Sequence, residues 1–135
     1  MHSVDLNWVA IMVAAFIAYV GGAIWYSPVL FSNTWARLVN LSQEQMSSGA
    51  PIAMVVQAVV TVATAAVIAV VIAWSGANNI IEGIGVGVLL GVGLVVSDHA
   101  KLVAFERRSL RLFAINNGYT VLAFAVMGAI IALWP

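Results

Sequence analysis

IAMVVQAVVTVATAAVIAVVIAW, residues 52–74, carries no charged side chain. The run is longer than the roughly 18 apolar residues that mark a membrane-spanning helix. Only helices and closed barrels can cross a bilayer with every backbone group bonded. Barrel strands alternate apolar and polar positions, whereas Ala65–Ala73 reads AAVIAVVIA without alternation, so the run predicts a helix. On either side of it, Leu6–Tyr26 and Leu112–Trp134 are also uncharged. A fourth run, Asn79–Lys101, reaches spanning length by including Glu82 at one end and Asp98, His99 and Lys101 at the other.

Composition agrees. A chain of 135 residues that is 64% hydrophobic exceeds what a water-soluble core of that size can bury, so lipid must cover the remainder. The expected fold is an all-α, integral membrane four-helix bundle. It forms one transmembrane domain over residues 1–135, with spans near 6–27, 52–74, 79–103 and 112–134. The first run lacks a basic n-region and is longer than a signal h-region, which predicts a retained span. The chain has no cysteine, which removes disulfide, iron–sulfur and thiol chemistry. Five basic and five acidic residues balance to a net charge of zero, which gives no footing for nucleic-acid binding.

The basic residues set an expected orientation. Arg37 lies between the first two spans, and Lys101, Arg107, Arg108 and Arg111 lie at or between the last two. Positive loops stay cytoplasmic, so both termini are expected outside.

Span one should end at Trp25-Tyr26-Ser27-Pro28, because the residue before a proline is pushed out of helical geometry. Phe31, Trp35, Leu38 and Val39 then share one helical face. This predicts a short interfacial amphipathic helix between spans one and two, with Arg37 on its polar side. Ser42 and Gln45 match a capping box for one further turn, Ser47-Ser48-Gly49 reads as loop, and Pro51 suits the first turn of span two. Gly76 is the expected C-cap of that span. On span three, Glu82 and Lys101 complement the helix dipole at its two ends. The turn Ala104–Arg111 is short enough to make spans three and four an antiparallel hairpin, with Glu106 salt-bridged to a neighbouring arginine.

Small residues mark the packing faces. Gly83, Gly87 and Gly91 recur every four residues on span three, and Ala14, Ala18 and Gly22 do so on span one. Ala65, Ala69 and Ala73 repeat the pattern on span two. Such ladders allow close backbone approach in lipid. They read first as intrachain packing and, because four spans expose several such faces, also as the interface of a homo-oligomer.

Polar residues gather at one depth. At a rise of about 1.5 Å per residue, Gln57, the pair Asn116 and Asn117, the pair Asp98 and His99, and Tyr26-Ser27 all fall in the third of the bundle nearest the basic loops. Gln57, Thr61 and Thr64 form a polar stripe on span two. Unpaired polar groups in hydrocarbon cost several kcal/mol each, so these groups should face one another or water. One reading is a hydrogen-bond network that only fixes packing. The other is a hydrated vestibule with Tyr26, Ser27, Gln57, Thr61, Asp98, His99, Asn116 and Asn117 as ligand-binding candidates. Ionisable residues within a span are functional candidates, although Asp98 and His99 also suit an interface, with their polar ends in water. Being adjacent, the two point about 100° apart on a helix and do not readily share a metal ion. No catalytic set, phosphate loop, metal site or cofactor motif is apparent.

Two further stretches carry a resemblance. Ile24-Trp25-Tyr26-Ser27-Pro28 with Leu30-Phe31 and Trp35 forms one. Phe105-Glu106-Arg107-Arg108, Leu110, Leu112-Phe113, Ile115-Asn116, Gly118-Tyr119, Met127-Gly128-Ala129-Ile130 and Trp134 form the other. Together they resemble a small bacterial membrane family, domain-of-unknown-function family seventeen-sixty-one. Ser32 stands where glycine is expected and Ser109 where proline is expected. The resemblance implies a four-span bundle in a bacterial cytoplasmic (inner) membrane and carries no activity. The functional expectation is therefore a non-enzymatic membrane protein that binds or passes a small ion or polar solute through its inner vestibule. The alternative is a structural or accessory subunit that docks on another membrane complex, or self-assembles, through its Gly/Ala faces.

Overall fold

The computed structural model describes residues 5–27, 30–40 and 42–134, all of whose regular structure is helical. Six α-helices follow in order: α1 (Trp8–Trp25), α2 (Ser32–Val39), α3 (Gln43–Ser75), α4 (Ile80–Leu90), α5 (Ser97–Glu106) and α6 (Leu110–Leu133). A π-helical segment, Gly91–Val96, joins α4 to α5. Four stretches are long and apolar enough to cross a membrane: Trp8–Trp25, Glu44–Ser75, Ile80–Glu106 and Leu110–Leu133. The fold is the four-helix membrane bundle that the apolar runs require.

Side-chain caps start the helices. Asn7, Ser42, Asn79 and Ser109 accept from Ala10, Gln45, Glu82 and Leu112 backbone N–H groups respectively, satisfying donors that a helix start leaves open. Ser109 caps α6 in the place where the family resemblance anticipates proline. Gly76, at φ 77°, ends α3 and donates to the Ile72 carbonyl. The left-handed residues Asn40 and Arg107 end α2 and α5. The predicted connecting helix is present as α2. Pro28, expected to break span one, lies outside the described residues, although α1 does end at Trp25.

Residues 47–49 are not a loop. The Ser42–Gln45 capping box forms with both reciprocal bonds, and α3 then runs unbroken for 33 residues with Pro51 inside it. At about 1.5 Å per residue the helix is about 50 Å long, against a hydrocarbon core of about 30 Å. Pro51 removes the bond it would donate to the carbonyl of Ser47 and crowds that carbonyl with its ring; Ser47 is exposed, so solvent can take the donor's place. The polar first turns of α3 consequently form a wall rather than a loose connection.

Helix α6 is the hub, packing on α1, α3 and α4. Its tightest partner is α4. A Cβ added at Gly83 would collide with the Gly128 backbone and Ala132, and one at Gly87 with the Phe124 backbone. Gly128 meets the Gly83 carbonyl in return. Gly91 is looser, its nearest neighbour being Phe124 at 3.5 Å, while Gly85 and Gly93 meet nothing within 4 Å. The ladder is therefore spent within the chain. Ile11, Ala14, Ala18, Ala65, Ile68 and Met127 fill the dry core beside this seam.

Candidate functional site

At the end that carries the basic loops the helices separate around a cavity of about 970 Å³. That size lies at the upper end of the range for small-molecule sites, ~300–1,000 Å³. Its walls come from α1, α2, α3, α5 and α6, and Gln45, Met46 and Gly49 of the α3 extension contribute. Among the described residues α3 packs on α1, α6 and α4 but not closely on α5.

Aromatic side chains prop the opening. Trp25 donates its indole N–H to the Ile115 carbonyl at 2.9 Å and stacks near Phe31 of the connection, 4.8 Å between ring centroids. Tyr26 lies edge-on to Trp35 at 6.0 Å and to Tyr119 at 5.8 Å. Tyr119 donates to the Ala18 carbonyl at 2.8 Å, and its hydroxyl occupies the space a side chain at Gly22 would need. Large rings thus fill the space between α1 and α6 at this end, whereas glycines bring α4 and α6 together further along.

The polar candidates sort into two groups. Tyr26, Gln57, Thr61, His99 and Asn116 line the cavity. Tyr26 donates to Asn116 Oδ1 at 2.8 Å. Gln57 donates to the Thr61 hydroxyl at 3.1 Å, and that hydroxyl donates to the Gln57 carbonyl at 2.6 Å. Thr120 also lines the cavity and donates back to the Asn116 carbonyl.

Ser27, Asp98 and Asn117 are placed otherwise. Ser27 turns back onto the Ile24 carbonyl. Asp98 faces outward, its side chain 61% exposed and paired with Lys101 at 2.8 Å. Asn117, 5% exposed, acts from behind the wall. Its amide nitrogen donates to the Phe113 carbonyl at 2.9 Å, which turns Oδ1 toward His99 Nδ1 at 3.0 Å. An oxygen there can only accept, so Nδ1 carries the proton, and Nε2 of the neutral ring remains an acceptor. The separation of Asp98 from His99 follows their adjacency on one helix. Glu106 pairs with Arg108 at 3.4 Å, as expected for the turn.

Tyr119, Trp25 and Thr120 were not among the sequence-derived site residues. Trp25 stood out as the end of span one and, with Tyr119, as part of the family resemblance, and Thr120 lies one turn beyond Asn116, a spacing that could have flagged it. No described group of three or more His, Cys, Asp or Glu is placed to hold a metal.

Four apolar spans around a polar-ended cavity define a small helical membrane protein. The chain matches the family described as protein of unknown function (DUF1761) over residues 9–132 and belongs to it. No curated protein and no solved structure matches the chain.

Proposed function

We propose that this protein binds a small molecule in the vestibule at the basic end of its bundle, and that this end faces the cytoplasm of a bacterial inner membrane, with both termini outside. The supporting observation is the convergence of Tyr26, Gln57, Thr61, His99 and Asn116, from all four spans and their flanks, on one cavity. Polar groups at membrane depth that meet around open space, rather than only each other, fit recognition better than packing. The orientation rests on all five lysines and arginines falling at this end. Passage of an ion or polar solute is the weaker form of the reading, because Ile11, Ile68 and Met127 close the opposite half of the bundle.

The accessory or self-assembling alternative has one observation in its favour. Gly85, Leu89 and Gly93 line up at i, i+4 and i+8 on an outward face, with Leu89 70% exposed. A homo-oligomer through that stripe should shift to monomer in Gly85→Leu/Gly93→Leu, read by mass in detergent.

The absence of native cysteine makes the vestibule directly testable with single-cysteine variants in oriented vesicles. Gln57→Cys and Asn116→Cys should react with a membrane-impermeant thiol reagent from the side of the basic loops. Ile11→Cys and Ile68→Cys should react from neither side. Protection of all four would remove the vestibule.

A further inference from the structure

We infer that the occupant of this cleft is an uncharged amphiphile that enters from the lipid: a molecule with a hydroxyl, ester or carbonyl head and an apolar tail. The inference rests on the vestibule reading and names its ligand class.

Three observations carry it. The first is the charge of the lining. Among the described residues around the cavity there is no Lys, Arg, Asp or Glu; its polar side chains are amides, hydroxyls, phenols and the His99 imidazole. The chain's basic residues and carboxylates are arranged outside it, with Asp98 paired to Lys101 and Glu106 to Arg108. An ion or charged head would leave water here without an opposite charge to meet it, which is costly.

The second is the set of hydrogen-bonding valences that the internal bonds leave. Asn116 Oδ1 accepts from Tyr26, so its NH₂ group has two donors without a partner among the described residues. Gln57 Nε2 bonds Thr61, leaving its Oε1 and a second N–H. His99 Nε2 is an acceptor in the neutral ring. Neutral donors and acceptors intermixed at one level suit a head that both donates and accepts.

The third is the direction of polarity. The polar groups lie nearest the basic end, and Val60, Ala123, Phe124 and Met127 continue the wall inward. From Asn116 to Met127 the cleft follows α6 for about 16 Å at 1.5 Å per residue. Met54 and Val60 line it yet are 55% and 49% exposed, and both lie in the uncharged run 52–74. This exposed apolar wall of α3 lies in a stretch that reads as membrane-spanning, so the proposed entry for the tail is from the lipid along it.

The test is native mass spectrometry of the whole protein in detergent, with four probes: monooleoylglycerol, oleyl sulfate, oleyl trimethylammonium and glycerol. Monooleoylglycerol should form a one-to-one adduct at concentrations at least tenfold lower than either charged probe, and glycerol should form none. Gln57→Leu/Asn116→Leu should weaken that adduct at least tenfold, and Leu89→Ala on the outer face should leave it unchanged. A charged probe or bare glycerol binding as well, and still lost in the double variant, would overturn the amphiphile while keeping the vestibule. Adducts that do not distinguish wild type from the double variant, with both folded by circular dichroism, would also overturn the amphiphile. The thiol-accessibility experiment then decides the vestibule independently.

Discussion

The two ends of this bundle are built from the same four spans and behave differently. Near the termini, α4 and α6 approach until glycine backbones touch, Gly83 and Gly87 against Phe124 and Gly128. Near the basic loops, Trp25, Tyr26 and Tyr119 stand between α1 and α6, and the first turns of α3 help wall a cavity of about 970 Å³. In lipid there is little hydrophobic force between helices, so side-chain size sets their separation. Small residues close one end, and rings with polar partners hold the other open.

The largest expected effect comes from breaking the closed end. Gly87→Leu should destabilise the protein by at least about 2 kcal/mol, since its side chain enters the α6 backbone. Gly85→Leu, whose Cβ meets nothing, should leave the monomer's thermal midpoint nearly unchanged. Equal losses for the two would show that the seam is not where the comparison puts it.

Next in size is the support behind the open end. Asn117→Leu removes the bond to Phe113 and the partner of His99, and should cost about 2 kcal/mol in denaturant unfolding. It should also weaken ligand retention, because the imidazole loses its orientation. A stable variant with normal binding would make the His99–Asn117 pair incidental.

A smaller effect sharpens the picture of the rim. Tyr26→Phe loses the bond to Asn116 and should cost about 1 kcal/mol. A Tyr26→Phe variant as stable as wild type in denaturant unfolding would place the Tyr26 hydroxyl in water.

The smallest effect is expected at Asp98→Asn. The carboxylate points out beside Lys101, and exposed pairs contribute little. Thermal midpoint and probe binding should both stay at the wild-type values, and a clear loss of binding would move Asp98 back into the site.

Much of this was legible in residues alone. The uncharged runs dictated four helices, Ser42 with Gln45 announced a cap, and the i, i+4 glycines announced a close seam. The depth argument also placed Tyr26, Gln57, His99 and Asn116 at one level, and the polar stripe on span two added Thr61. Depth along a helix does not give azimuth, however, and Asp98 and Ser27 at the same level turn away from the cavity. Ser47-Ser48-Gly49 read as loop between a capped turn and span two, yet α3 starts at the Ser42 cap and runs through them and Pro51 without a break.

Sequence by itself determined the class, the number of spans and the level of the polar groups, because hydropathy and helical rise are local properties. Only the tertiary structure decided that the Gly83–Gly87 face meets α6 rather than a second copy, since a glycine ladder is the same signal for either partner. It alone decided that a cavity exists, since that depends on Tyr119 of α6 meeting Gly22 and Tyr26 of the α1 end across 90 or more residues of chain. The neutrality of the lining follows from the same packing, which turns each charged residue of the basic end outward and leaves only amides, hydroxyls and one imidazole facing in.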